Sequence, residues 1–412
     1  MSSSFLFEKD RFSLRDKAFI ADPYPWYTWM RDKAPFLETH GVTLISRHAD
    51  VSCALNHPDL SPHNWTEHIL DTCTKLQIPV PEKARQFIEL TLAALDEPAH
   101  TQWRMAMLKI FNAQVMQNLH GWAKEEAEEL LAGKPEVDII NDCARRLWIH
   151  IFSRWLGLTQ IQQAAIEKKL ASLRLFVDPA RLNKNNLAEA LTDLNDVIIT
   201  LEAAQENAPA SSCFFSELKS YGIPGADFTE TDVAVMAASV LSGGGETTQA
   251  LVGSLFYTLA GHPAVLDDIR HDSRLTGQVL SEVARLESPL QFTQRYAMSD
   301  TKINNEPVKK GTRLLLCLGS ANRDEAVFGS NAALFDPKRK QTHVLTFGRG
   351  PRHCIGSELA KMQAEALLAA YLEKNSRIIM AEENSVWQTQ SSLMRSLERL
   401  IIRTGTWTAA VH

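Results

Sequence analysis

Cys354 sits in the string Thr346-Phe347-Gly348-Arg349-Gly350-Pro351-Arg352-His353-Cys354-Ile355-Gly356. Two glycines and a proline, Gly348, Gly350 and Pro351, impose a tight, irregular loop. A helical pattern, Ser357-Glu358-Leu359-Ala360-Lys361, follows at once. The cysteine therefore lies just ahead of a helix N-terminus, where the dipole and free N–H groups favour a thiolate over a thiol. Arg349 and Arg352 add positive charge. A thiolate held in this way suits a metal ligand whose electron donation is tuned by its surroundings. A buried structural cysteine in a glycine-rich turn is the competing explanation for any single cysteine. The other five, Cys53, Cys73, Cys143, Cys213 and Cys317, are scattered with no CxxC pair, so a zinc cluster is not expected and they read as small packed hydrophobes.

Three further groupings carry chemistry. Gly243-Gly244-Gly245-Glu246-Thr247-Thr248 places an acid and an alcohol side by side after a run of glycines. Small residues let a small ligand and water approach a helix backbone and permit a local kink, and an acid beside an alcohol can relay protons. The same residues fit a close helix–helix packing site equally well. In Asp96-Glu97-Pro98-Ala99-His100-Thr101-Gln102-Trp103-Arg104, His100 and Arg104 are spaced i, i+4 on one helix face. Glu282 and Arg285 are spaced i, i+3 and can pair, although surface helices are full of such pairs.

The elements that must position these groups follow from pattern. No proline occurs from Thr229 to Gly261, Thr229 and Asp232 make a capping pair, and Gly261-His262-Pro263 supplies the stop. A helix of that extent is about 50 Å long and carries the Glu246 segment near its middle. Residues 66 to 205 are mostly helical in pattern, with Leu147 to Leu156 a buried stretch and Glu125 to Leu131 a solvated charged face. Residues 206 to 225 are rich in Ala, Pro, Ser and Gly and read as a loop. His40 to Ser46 and Leu314 to Leu318 read as strands, and a last helix is expected from about Ser357 to Glu373. The expected class is mainly α with a smaller β region (α+β). Residues 1–412 form one domain, with β-rich portions at about 35–60, 290–320 and 376–412.

The FGxGxRxCxG string resembles the heme-ligand signature of the cytochrome P450 family, in the variant with Arg352 two residues before the cysteine. Further segments resemble the family in the same order from about His100 to Leu400. The resemblance implies a triangular, helix-rich prism enclosing heme b, with Cys354 as the axial iron ligand and Phe347, Gly348 and Gly356 shaping its loop. It implies that Glu246 and Thr247 deliver protons and that His100, Arg104, Arg295 and Arg352 hold the heme propionates. Glu282, Arg285 and Arg339 would form a structural charge network. Two buried carboxylates need cationic partners, so such a cluster of bases is physically reasonable. By the same resemblance the substrate pocket is lined from Ile78 to Phe87, Leu173 to Leu182, Ser239 to Gly244, Leu290 to Thr293 and Leu393-Met394. Within these, Ser239, Ser242, Gly243, Leu290, Phe292, Thr293 and Met394 are the named lining residues, and Ser239, Ser242, Gln291 and Thr293 have polar groups to orient a ligand. The third glycine, Gly245, departs from the family pattern, in which a larger side chain is common.

The implied activity is insertion of one oxygen atom from O2 into a mainly hydrophobic small molecule, with secondary metabolism as the setting. Desaturation, cyclisation or coupling on the same fold is the first alternative. A heme sensor or carrier without turnover is the second, disfavoured by the intact Glu246–Thr247 pair. No dinucleotide-binding glycine pattern follows a strand, so electrons are expected from a separate ferredoxin and its reductase. Lys109, Arg349 and Lys361 are candidate basic contacts for that partner. Among 412 residues, 43 Lys plus Arg against 49 Asp plus Glu leave a net charge of −6, which excludes a general attraction for nucleic acid or anionic lipid. No export signal and no long apolar span is present, so no membrane anchor is expected and the cytoplasm is the default.

Overall fold

The computed structural model describes residues 12–404 apart from 63, 179–180, 207, 209–213, 222–228 and 341. Cys213 and half of the 206–225 stretch lie outside the described residues. The chain forms two compact units. One comprises Met1–Pro62, Ser281–Cys354 and Trp387–Arg395, the other His63–Leu280, Ile355–Val386 and Ser396–His412.

The first unit is built on a five-stranded sheet in the spatial order Phe36–Thr39, Val42–Ile45, Arg313–Cys317, Phe292–Ala297, Leu60–Ser61. The apolar run beginning at Leu314 is its middle strand. It runs parallel to Val42–Ile45 and antiparallel to Phe292–Ala297, with Arg295 opposite Leu314. Leu314 and Leu316 enter one buried cluster, with Ile45, Val51 and Ala321. Cys317 enters another, with Phe12, Tyr27 and Phe292, and Leu315 packs at its edge. Burial on both faces explains an unbroken apolar strand where a half-exposed one would alternate.

The second unit is mainly helical. Its axis is the helix Glu230–Ala260, 31 residues long and α-helical through all three glycines. Thr229 and Asp232 close a reciprocal capping box at its start. Packed against this central helix are Glu82–Leu90, Arg145–Leu156, Leu170–Val177, Leu187–Glu206 and Ser357–Lys374. A three-stranded sheet in the order Glu136–Asp138, Leu397–Arg403, Ile379–Trp387 lies at one side of the unit.

Two of the glycines have packing roles. A Cβ on Gly244 would lie 2.6 Å from Cζ2 of Trp148, and one on Gly245 would touch the same ring at 3.7 Å. The Trp148 indole N–H donates to the Leu241 carbonyl at 2.9 Å, which seats the ring flat against the helix. Gly243 differs, because a Cβ there would meet nothing within 4 Å.

One segment corrects the sequence reading. Within the stretch read as a loop, Phe214–Tyr221 is a helix. Phe214, Phe215 and Leu218 are fully buried, and Phe214 meets Trp155 edge-on at 5.1 Å between ring centres. Three apolar anchors outweigh the loop-like composition around them, because tertiary burial overrides local propensity.

Candidate active site

Within the first unit, the Cys354 loop is held from both ends. Gly348 and Gly350 both take φ of +71°, open to glycine at little cost. A Cβ on Gly350 would lie 1.9 Å from Oδ1 of Asn56, so that site admits no larger residue without movement. The Cys354 backbone N–H donates to the Phe347 carbonyl at 2.8 Å, and the His353 N–H to the Gly350 carbonyl at 3.0 Å. Phe347 and His353 approach with ring centres 6.4 Å apart. Cys354 itself is exposed, whereas Cys73, Cys143 and Cys317 are buried and Cys53 is half-buried. Burial pushes the Cys143 and Cys317 thiols up to about 12, which keeps them protonated at neutral pH.

Behind the loop lies a buried polar network. Arg285 grips Glu282 in a two-pronged pair, Nε to Oε2 at 2.7 Å and Nη2 to Oε1 at 2.8 Å, with both side chains fully buried. Arg339 Nε donates to the same Oε1 at 3.1 Å. Arg285 Nη1 donates to the carbonyls of Asn322 and Ala332 at 2.7 Å each. The structure thus brings Glu282, Arg285 and Arg339 together, and it adds a residue to which sequence reasoning assigned no role. Asn322, also fully buried, donates to Thr346 Oγ1 at 2.9 Å and to Ser288 Oγ at 2.8 Å, and its Oδ1 accepts from the Leu345 N–H at 2.7 Å. Thr346 Oγ1 donates to the Ala284 carbonyl at 2.6 Å. Leu345 and Thr346 open the cysteine loop, so Asn322 ties that loop to the Glu282–Arg285 helix. The available signal was its place beside Arg323 and Asp324, four residues after the apolar run at 314–318.

On the adjacent strand, Arg295 is buried, and its Nη1 donates to the Gln294 carbonyl at 2.8 Å. Arg352 is half-buried. Leu290 is bridged to Met394, which is buried. Phe292, read as pocket-lining, packs into the core at 6.1 Å from the Tyr27 ring, whereas Leu290 and Thr293 of the same stretch are half-buried. Gln291 is also committed inward: its Oε1 accepts from the Tyr27 hydroxyl at 2.8 Å and its amide donates to the Ser288 carbonyl.

Within the second unit, neighbours on the central helix serve different partners. The Thr247 hydroxyl donates to the Gly243 carbonyl one turn back at 2.7 Å, and Thr247 is half-buried while Gly243 is exposed. Glu246 is buried. Its Oε1 accepts from Arg181 Nη2 at 2.8 Å, and its Oε2 has no hydrogen-bond partner among the described residues. Arg181 was not among the sequence candidates, since nothing local marks a pair 65 residues apart. His100 is buried with Nδ1 3.1 Å from Glu97 Oε1. Arg104 follows one turn later and is half-buried. The Ser239 hydroxyl donates to the Val235 carbonyl at 2.9 Å, and Ser242 Oγ to the Ser239 carbonyl at 3.2 Å.

The donor set suits the heme that the resemblance implies. The first unit offers one exposed cysteine in a tight loop, with Arg295 buried and Arg352 half-buried as cations for carboxylates, and the second unit, taken by itself, has two glycines, Gly243 and Gly356, at which a Cβ would meet nothing within 4 Å. Comparison with known proteins agrees. The family model described as Cytochrome P450 matches residues 199–398. The chain is 25% identical to the putative cytochrome P450 133B1 of Xylella fastidiosa, over 94% of this chain and 97% of that one. It is 27% identical to cytochrome P450 107B1 of Saccharopolyspora erythraea, over 95% and 97%. The solved structure of CYP109Q5 from Chondromyces apiculatus superposes with a TM-score of 0.80 at 22% identity, covering 97% of this chain and 99% of that one. The chain belongs to the cytochrome P450 family, whose members are monooxygenases that bind heme b through a cysteine thiolate.

Proposed function

We propose that the protein inserts one oxygen atom of O2 into a mainly hydrophobic small molecule, with electrons from a separate ferredoxin and its reductase, and that Cys354 is the iron ligand. The observation that carries this is the exposed Cys354 thiol in a loop locked by Gly348, Gly350 and the Asn322 network. When bound, heme supplies dioxygen binding and O–O cleavage, which electron donation from a thiolate promotes. The protein supplies ligation, proton delivery and substrate position.

In this proposal Arg295 and Arg352 of the first unit and His100 and Arg104 of the second hold the propionates, and Phe347, Gly348 and Gly356 shape the cysteine loop. The Thr247 oxygen gives its proton to the Gly243 carbonyl and keeps lone pairs to accept a hydrogen bond from a water. Glu246 keeps Oε2 free of donors among the described residues, which suits holding a second water as the relay's acid. Ser239 and Ser242 spend their hydroxyls on helix carbonyls, which supports an apolar substrate. Residues 1–412 act as one domain in this proposal. No helix among the described residues is long and apolar enough to cross a membrane, and a cytoplasmic site belongs to the same proposal.

The test is the reduced carbon monoxide complex of the heme-loaded protein. The expected result is a strongly red-shifted absorbance band that Cys354→Ser abolishes. A Cys354→Ser protein that kept the band would remove Cys354 as ligand. Product analysis with isotope-labelled O2 then separates hydroxylation, which incorporates label, from desaturation, cyclisation or coupling, which do not.

A further inference from the structure

Within the first unit the cysteine loop has a second wall, the helix His48–Leu55. The His48 N–H at its start donates to Asp324 Oδ2 at 2.9 Å. Asp324 stands two residues after Asn322, which ties down Leu345 and Thr346. One short segment therefore fixes both this helix and the start of the loop.

Three residues spaced i, i+4, i+8 carry the contact from the helix to the loop: His48, Ser52 and Asn56. His48 Nε2 lies 2.7 Å from the His343 carbonyl oxygen. A carbonyl only accepts, so that nitrogen carries the proton and donates. His48 is buried, with the Phe328 ring centre 5.8 Å from its own. A buried imidazole is costly unless it is hydrogen-bonded, so this bond holds ring and carbonyl together. Ser52 Oγ accepts from Arg349 Nη1 at 3.1 Å. Asn56 Nδ2 donates to the Ser52 carbonyl at 2.9 Å, and its Oδ1 is turned to Gly350, where a Cβ would lie 1.9 Å away. The contact continues toward the sulfur, because the Gly350 carbonyl accepts from the N–H of His353, the residue before Cys354. Asn322 holds only the start of the loop. Arg349 and Gly350 lie nearer the sulfur, and the helix His48–Leu55 with Asn56 is what meets them.

Electron donation by a metal-bound sulfur depends on the groups that orient it. We propose that His48 and Asn56 are positioning residues for Cys354. Acting through His343 and Gly350, they set where the sulfur stands, and with it the strength of its bond to iron and the reduction potential. This rests on Cys354 being the ligand, as proposed above.

The experiment uses the heme-loaded full chain. It reads Tm, the reduction potential by spectroelectrochemical titration, and the rate at which the red-shifted band of the reduced carbon monoxide complex converts to a shorter-wavelength form. His48→Leu is expected to speed that conversion at least about tenfold, as loss of a partner behind a ligand typically does, and to shift the potential. His48→Gln keeps an N–H donor and should return both toward the parent values. Gly350→Ala should speed conversion too. Adding Asn56→Ala should slow it again in part, because the clashing oxygen is gone while the positive φ still strains the alanine. This second arm decides the matter if His48→Leu does not fold. A fall in Tm with the potential unchanged overturns the proposal. So does His48→Gln behaving like His48→Leu, or a Gly350→Ala effect that is the same with and without Asn56→Ala. A Cys354→Ser protein that kept the red-shifted band would remove the ligand assignment and this proposal with it. With that band lost in Cys354→Ser, the other outcomes bear on the positioning alone.

Discussion

Gly243 and Gly244 are chain neighbours, yet their environments predict opposite consequences for the same substitution. Gly243→Ala adds a methyl to open space in a helix interior, where alanine is favoured by about 0.5–1 kcal/mol. Gly244→Ala drives a methyl into the fully buried Trp148 ring and is expected to lose about 1–3 kcal/mol. Denaturant unfolding of the two variants reads the sign directly; equal effects would show that the ring moves aside. Thr247→Ala is predicted to leave electron consumption running while product per electron pair falls at least about tenfold and peroxide appears. Unchanged coupling, measured as product formed against NADH consumed with a surrogate ferredoxin, would take Thr247 out of proton delivery.

At the scale of elements, the cysteine loop depends on the helix that carries Glu282 and Arg285, through Asn322. Asn322→Ala strips partners from the Leu345 N–H and the hydroxyls of Ser288 and Thr346, all buried. An unsatisfied buried N–H costs about 1–3 kcal/mol, and each hydroxyl keeps its bond to the Ala284 carbonyl, so a stability loss of about that size and faster release of heme to an acceptor protein are expected. Glu282→Ala leaves Arg285 charged and fully buried without its partner, a loss of about 3–5 kcal/mol. If Asn322→Ala released heme at the parent rate, the loop would be held by its own turns alone. The i, i+3 spacing of Glu282 and Arg285 was legible in the sequence. Asn322 was not, because its partners, Ser288 on one side and Leu345 and Thr346 on the other, lie 23 to 34 residues away and meet it only in the fold.

For the molecule as a whole, alkaline stability is set by buried weak acids. The Cys143 and Cys317 thiols are pushed by burial from an ordinary 9.0 up to about 12, and the Tyr24, Tyr27 and Tyr371 phenols are raised as well, chiefly by burial. A raised folded-state value gives stability that is fully present below the unfolded value. It is lost as pH climbs toward the folded one, because the unfolded chain sheds its proton first. Tm is therefore predicted to hold below about pH 9 and to fall steadily above it. The Cys143→Ala, Cys317→Ala double variant should lose less Tm over that range, and a parallel decline would shift the cause to the phenols. The one-domain organisation proposed for 1–412 predicts a single calorimetric unfolding transition of the heme-loaded protein. Two resolved transitions would assign separate stability to the two compact units.

What the sequence by itself determined is what local chain geometry encodes. The capped span from Thr229, the tight loop before Cys354, the apolar strand at 314 and the Glu282–Arg285 spacing all depend on residues within a few positions of one another. Turn chemistry, capping and periodicity act at that range. The helix Phe214–Tyr221 escaped because its apolar anchors are few, and only the Trp155 side of the fold gives them something to bury against. The tertiary structure alone decided that Gly244 seats Trp148 across 93–96 residues, since the indole bonds Leu241 at a separation of 93. It decided that Phe292 serves the core and that Arg181 reaches Glu246 over 65 residues. Long-range pairing is chosen by how packed elements exclude water and bring charges together, and no spacing along the chain records that.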